Sequence, residues 1–412
     1  MRRENILLIT KKSNLILLSL LPISLLIGTF ISETILNLIV FNFLISSYIK
    51  NDWQWSSQKE FKILCMFWFY LILNCIIALD PTLSMSRAIF FIRFIIFIFA
   101  VAEILNEKKI EKKIFFFWLL IILITVLDVN FEFIYGRNII GNTSAYEGRI
   151  TSFLGEELKI GFFLYSLYLS TFAFFFSLTL ESKKKKLYSL IILFIILFTF
   201  FTIILTGEKS NSIKAFFCLF LFFILSKNYL NQFKIIFIIF LFLLIFFIYS
   251  KRGNLPITGT FQKIQNDNFT TILKNSPHGA HYYVAWEIFK SYPIFGIGNK
   301  NFRIECNNPS YYNPSVKLSK YRCSTHPHQI YLEFLSELGF LGLAIFLYFL
   351  VNILFKSFSL YLKNGNLILL SSALFMTSTF LPFIPSGSFF TSFGATIFWL
   401  NVGILLSNIN KK

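Results

Sequence analysis

The sequence predicts an all-α, polytopic membrane protein, and three observations carry that prediction. Of 412 residues, 56% are hydrophobic and only 14% charged, whereas a soluble domain is nearer a quarter charged. Phenylalanine alone supplies 56 residues, more large apolar surface than a chain of this length can hide in a water-soluble core. The apolar residues also fall in runs of about twenty, the length that crosses a hydrocarbon layer of about 30 Å as a helix. The same figures exclude a disordered chain, a coiled coil, a collagen repeat and a small disulfide scaffold.

Twelve transmembrane helices are predicted. They lie at 14–30, 33–49, 61–79, 87–105, 114–133, 158–180, 187–205, 212–226, 235–250, 336–355, 366–383 and 388–407. The chain then divides into 1–250 with helices one to nine, a hydrophilic insertion at 251–335, and 336–412 with helices ten to twelve. No cleavable signal peptide is expected, because the first span lacks a small-residue cleavage site and a second span follows at once.

The net charge of +18 does not gather on one face, so a nucleic-acid partner is not expected. It falls in clusters between spans and reads as a topology signal. If Arg2, Arg3, Lys11 and Lys12 are cytoplasmic, the same side receives Lys50, Lys59, Lys62, Lys108, Lys109, Lys112 and Lys113. It also receives Lys183 to Lys186, Lys227, Lys234, Lys356, Lys363, Lys411 and Lys412. The opposite short loops hold only Arg87, Arg137, Arg149 and Lys209. Both termini are therefore expected inside. The large loop between helices nine and ten is expected on the outer, periplasmic side, with the smaller loop 134–157. Long loops in a compact protein tend to carry function. Arg93 lies within a span and reads as a functional charge, a snorkelling side chain or half of a structural pair.

All four histidines, His278, His281, His326 and His328, occupy the large insertion. Metal binding is one reading, but His326 and His328 are too close to be neighbours on one helix face. A general base or a phosphate-binding site suits the spread better. Cys65, Cys75 and Cys218 lie in spans and read as small packing residues. Cys306 and Cys323 share the outer loop, either as free thiols or as a disulfide, which would contribute about 3 kcal/mol in the chain-entropy model. No CxxC or HxxxH spacing accompanies them.

Pro327 favours a helix start, with Thr325 or His326 as cap. That register places His328 in the first turn, beside free N–H groups whose field favours a neutral, base-competent imidazole. Glu333 and Glu337 stand one turn apart, as candidates to orient a catalytic histidine or cap the helix, or as a solvated face. Upstream, 281–292 carries Val284, Ala285, Ile288 and Phe289 at helical spacing and predicts an amphipathic surface helix. Pro293 ends it and a Gly-rich turn follows, whose GxG is too short for a nucleotide fingerprint.

Taken together, AWEIFKSYPIFGIGNKNF at 285–302 and THPHQIYLEFLSELGFLGL at 325–343 resemble the C-terminal hallmark of the O-antigen ligase and Wzy-type polymerase superfamily. The second stretch is similar to its His-Asn-x-x-Leu…Glu-x-Gly-x-x-Gly-Leu signature, with Gln329 where Asn is usual. CSTHPHQ at 323–329 resembles one branch of that superfamily. RITSFLGEELKIG at 149–161 and LTGEKSNSIKA at 205–215 match further family stretches.

The resemblance implies a membrane glycosyltransferase of the GT-C kind, with no metal or other cofactor. Sugar would pass from an undecaprenyl diphosphate-linked glycan donor to an acceptor hydroxyl at the periplasmic face of the bacterial inner membrane. A ligase uses a lipid A–core acceptor; a polymerase uses a glycan still on carrier lipid. The HPHQ branch favours the ligase. By the resemblance His328 is the catalytic base, with His326 beside it, and Arg149 holds the donor diphosphate. Lys209 stands where relatives have arginine, keeping the charge without the bidentate fork. Where the family has an arginine before the amphipathic helix, His278 and His281 are the substitutes when protonated. Arg87, Arg303 and Arg322 are further cations on that side to stabilise a diphosphate leaving group. The rival is a polysaccharide or lipid transporter, which would need charged or broken helices in two repeat halves. No repeat is visible.

Overall fold

The structure, a computed structural model, describes residues 2–180, 184–226, 231–250, 276–316 and 318–411. Residues 251–275 of the insertion, and Lys183, Lys227 and Lys412 of the charge pattern, lie outside the described residues. Within those described, all regular structure is helical, with no strand.

Each of the twelve predicted spans coincides with a helix, and eight helical segments are long and apolar enough to cross a membrane. These are Arg3–Ile27, Thr29–Lys50, Pro81–Ile104, Lys108–Tyr135, Ile160–Leu180, Lys186–Leu205, Ile330–Asn364 and Ser392–Asn410. The other four predictions fall short for identifiable reasons. Lys59–Ile76 opens with Lys59, Glu60 and Lys62. The helix Lys209–Leu225 has 17 residues, and of Asn231–Ser250 only Phe233–Leu244 counts, as a shorter apolar helix, the side chains at 231–232 and 245–250 lying outside those described. Leu367–Thr379 has 13 residues, a rise of about 20 Å against a hydrocarbon layer of about 30 Å.

Phenylalanines serve two surfaces. Phe30, Phe41, Phe69, Phe242 and Phe355 stand exposed on the outside of the bundle, as a lipid-facing belt requires. Inside, Phe334, Phe346, Phe380, Phe389, Phe390, Phe398 and Trp399 pack ring against ring, with many centroids 4.9–5.4 Å apart. These are tilted and edge contacts that aromatic quadrupoles favour. Arg93 is paired with Glu33 at 2.9 Å, which settles its reading as half of a structural pair.

The bundle has two chemically different ends. At one, Lys11 pairs with Glu107, Lys50 with Glu103 and Lys411 with Glu111, at 2.5, 2.6 and 2.5 Å. A cavity of about 620 Å³ there is lined by residues of the first two pairs, so its charges already satisfy one another. At the other end the loops meet. The Leu79 N–H donates to Ile297, Ile150 to Thr206, and Ser386 to His328, at 3.1, 3.2 and 2.9 Å.

One interlock positions everything at that second end. Helix Ile330–Asn364 breaks at Gly339, whose φ of 67° and ψ of −175° are not helical. A break strands backbone donors and acceptors that must find partners. The turn 293–298 supplies them. The N–H groups of Ile297 and Gly298 donate to the Ser336 and Glu337 carbonyls at 3.1 and 2.9 Å. In return the N–H groups of Phe340 and Leu341 donate to Pro293 and Ile294 at 2.8 and 3.1 Å. Asn74 donates to the Phe295 carbonyl at 2.7 Å, and the Tyr70 hydroxyl to that of Leu338. The two sequence stretches that carried the family resemblance are thus two halves of one backbone clamp.

Candidate active site

Loops and helix ends enclose a cavity of about 560 Å³ at this end. Its lining includes Arg149, Lys159, Lys209, Lys214, His278, His326 and His328, together with Phe162, Phe375, Phe389, Phe393 and Phe398. Irregular backbone at 385–388 closes it. Basic side chains and aromatic rings in one cavity suit an amphiphile with an anionic head.

The four histidines converge. The His328 ring lies 4.0 Å from that of His326, 5.2 Å from His278 and 5.1 Å from His281, between centroids. His328 Nε2 stands 3.0 Å from Ser324 Oγ. Its backbone has a φ of 59°, a left-handed conformation rare outside glycine. Two donors to its carbonyl hold it there, the Ser386 N–H at 2.9 Å and the Tyr282 hydroxyl at 3.3 Å.

This geometry corrects the expected helix start. The helix begins at Ile330, and its cap is Gln329, whose side chain accepts from the Leu332 N–H at 2.8 Å. Pro327 biases the residue before it away from helix, and His328 turns left-handed, so neither lies in a first helical turn. Burial, followed by the neighbouring histidines, pushes His328 down to about 3 and His326 down to about 4. The helix dipole is not the cause. Burial also lowers His278 and His281, and so works against the protonated form in which they would stand in for an arginine. His278 lines the cavity, whereas His281 is buried and is not part of its lining.

Glu333 and Glu337 are corrected too. Neither touches a histidine, and neither is solvated. Glu333 accepts from the Ser388 hydroxyl and from the Phe389 N–H at 2.9 Å, tying the 385–391 segment to the turn after His328. Glu337 accepts from the N–H groups of Lys300 and Phe302 at 2.7 and 3.3 Å. The same device recurs on helix Lys108–Tyr135. There Asp128 accepts from the Ile139 N–H at 2.7 Å, and Glu132 from that of Ser152 at 2.7 Å, fixing the loop that presents Arg149. A carboxylate accepting backbone N–H groups is a charge-assisted anchor, so these acids position the loops.

Of the predicted cations, Arg149 and Lys209 line the cavity. Arg149 Nη1 donates to the Gly207 carbonyl at 2.5 Å, which joins the two loops. Arg87, Arg303 and Arg322 lie outside it. Arg87 donates to Ser392 at 3.2 Å and Arg303 to the Thr325 carbonyl at 3.3 Å. Arg322 is spent on the Asn307 and Ser319 carbonyls of its own loop.

Cys306 and Cys323 are joined as a disulfide with Cα atoms 5.2 Å apart. The peptides carrying them should be linked in a digest of the unreduced protein and separate on reduction. Alkylation of both thiols without reductant would refute the bond. Among the described residues no group of three or more His, Cys, Asp or Glu side chains, the histidine cluster included, is arranged so that it could hold a metal ion.

Sequence reasoning missed Glu208 and Lys214. Glu208 is buried and accepts from the Gly161 and Phe162 N–H groups at 2.6 and 3.1 Å, capping helix Ile160–Leu180. Burial raises its carboxyl to about 7. Both residues stand in the family-like stretch LTGEKSNSIKA, whose match to the family rests on Lys209.

The site coincides with a family match. Residues 192–347 match the family model Wzy_C, O-antigen ligase. The resemblance to the O-antigen ligase and Wzy-type superfamily is thereby borne out. The matched segment contains Lys209, Lys214, all four histidines and both halves of the Gly296–Gly339 clamp. With its apolar helices, it identifies a multi-pass membrane protein with an O-antigen ligase-type region. No curated protein matches the chain.

Proposed function

We propose that this protein is an O-antigen ligase, moving polysaccharide from undecaprenyl diphosphate to a lipid A–core hydroxyl at the periplasmic face of the bacterial inner membrane. The observation that carries the reading is the meeting of His328, Arg149 and Lys209 in one cavity that is also lined by five phenylalanines. On this reading all twelve helices lie in the membrane, the paired-lysine end is cytoplasmic with both termini, and the cavity end faces the periplasm.

In the tautomer whose Nε2–H donates to Ser324, His328 presents the Nδ1 lone pair as general base. It takes the acceptor hydroxyl proton as that oxygen bonds to the anomeric carbon with inversion. The bond from that carbon to the diphosphate breaks, and its electron pair leaves with the diphosphate. Arg149 and Lys209 offset the charge of the leaving group, so fixed cations do the electrostatic work and no metal step is required. Two buried imidazole nitrogens on histidines that line the cavity with His328 (His278 Nδ1 and His326 Nε2) have no partner among the described residues. Buried polar atoms of that kind are expected to meet a polar ligand.

The pH dependence has a definite sign. His326 and His328 are shifted below the usual value of 6.5, so the unfolded chain binds more protons between about pH 6.5 and 3. Their contribution to stability is complete above about pH 6.5 and is lost as the pH falls through their folded values. The unfolding temperature should therefore fall on acidification across that window, less steeply in His326→Gln. A bound diphosphate raises the His328 value again, so the acid limb of kcat is expected at higher pH than that of kcat/KM.

The deciding experiment is a gel profile of lipopolysaccharide and carrier-linked glycan from cells lacking the gene. Long polymer stranded on the carrier is the result expected of a ligase. Core bearing a single repeat unit would make the protein a polymerase with the same chemistry. An unchanged ladder with no stranded intermediate would refute both and favour a transporter.

A further inference from the structure

The geometry points to Lys214 as a phosphate-binding residue of the cavity, holding the phosphate nearest the isoprenoid chain of a lipid-linked diphosphate. The inference rests on the donor reading above and adds to it the direction in which the donor lies.

Lys214 lies on helix Lys209–Leu225, is 4% exposed and lines the cavity. No hydrogen bond or ion pair to a described residue occupies its ammonium. That sets it apart from Lys11, Lys50, Lys356 and Lys411, each paired with a glutamate. An ammonium withdrawn from water without a counter-ion is costly, and an intramembrane charge facing a cavity marks a ligand path. Polar anchoring does not explain it either, because the polar network one turn further on, Cys218 with Ser378 and Tyr165, is complete without it.

Its depth gives the orientation. Lys209 opens the helix beside Arg149, and Lys214 is five residues further in, about 7.5 Å along the axis. Phe375 and Phe398, on helices Leu367–Thr379 and Ser392–Asn410, line the same cavity as Lys214. Arg149, His326 and His328 lie in the irregular backbone outside the helices, and His278 in the first turn of Pro277–Ser291, so the sugar that meets His328 lies at the loop end of the cavity. A diphosphate spanning the two lysines thus has its sugar-side phosphate at Arg149 and Lys209 and its lipid-side phosphate at Lys214. The isoprenoid chain then runs along the phenylalanines.

The test is binding of undecaprenyl monophosphate and undecaprenyl diphosphate to the full chain in nanodiscs, for the wild type, Lys214→Met, Lys214→Arg and His328→Ala. Lys214→Met should weaken monophosphate binding at least tenfold, Lys214→Arg much less, and His328→Ala hardly at all. Without ligand, Lys214→Met should melt at or above the wild-type temperature, since it removes a buried unpartnered charge at nearly constant shape. Wild-type affinity in Lys214→Met would overturn the inference and leave the donor reading intact. So would a ligand-free melting temperature well below wild type, because Lys214 would then be structural. A wild-type protein that binds neither lipid would overturn the donor reading itself. Inorganic pyrophosphate serves as the third probe: binding as tight as that of undecaprenyl diphosphate would refute the lipid-directed orientation.

Discussion

His328→Ala is expected to lower the rate of glycan transfer by about 10²–10⁴-fold, the usual worth of a positioned general base. The melting temperature should change by only a few degrees. The separation follows from how the residue is held. What fixes the backbone at 328 is the carbonyl, which accepts from Ser386 and Tyr282, and alanine keeps that carbonyl. The side chain makes one hydrogen bond, to Ser324, and its removal leaves no buried charge behind. His328→Asn, which tolerates the left-handed backbone better than alanine, should be as inactive and still closer to wild-type stability. His326→Ala is the control. Its ring sits 4.0 Å from His328, so it should change the pH profile more than the maximal rate. A fully active His328→Ala would remove the base assignment.

The largest effect on stability is expected at the clamp. A Cβ on Gly296 would stand under 3.0 Å from the Glu337 carbonyl, and one on Gly339 under 3.0 Å from the Ile294 carbonyl. Both obstacles are backbone, which cannot rotate aside. Both glycines also have φ near +70°, at 70° and 67°. Strain and overpacking together put either alanine substitution at about 4 kcal/mol or more. Gly296→Ala and Gly339→Ala should therefore fail to accumulate as monodisperse protein. Gly387→Ala, where a Cβ meets nothing within 4 Å, should express and melt like the parent. Equal yields from all three would mean that the turn and the break are not coupled.

Much of this architecture was legible in the sequence because membrane helices announce themselves by length and composition. All twelve apolar runs are helices, and the loops predicted to share the outer side do meet around one cavity. The histidines, Arg149 and Lys209 were legible as residue types in an unusual place. What could not be read was the partner of each group. Glu333 and Glu337 look like catalytic acids because they are a turn apart near a histidine. Their actual partners, at 388–389 and 300–302, are distant in sequence. Arg303 and Arg322 are cations in the right loop that bond to nearby carbonyls and stand outside the cavity lining. Lys214 does not stand out in the sequence, since nothing local signals that its ammonium faces the same cavity as Lys209. Pro327 misled for a conformational reason, because a left-handed residue between a proline and a cap is not written in helix propensity.

The break at Gly339 also bears on bilayer thickness. A straight helix of 35 residues would be about 52 Å long, against a hydrocarbon layer of about 30 Å. Such an excess has to be absorbed by steep tilting or by local thickening of the lipid, at a cost for every ångström of mismatch. The break divides the element into a short piece that follows His328 and a longer piece that can match the membrane by itself. Thicker or thinner lipid can then tilt the long piece while the short one stays fastened to the 293–298 turn. Transfer activity should accordingly depend less on the acyl-chain length of a reconstituting lipid than a rigid helix of this length would impose.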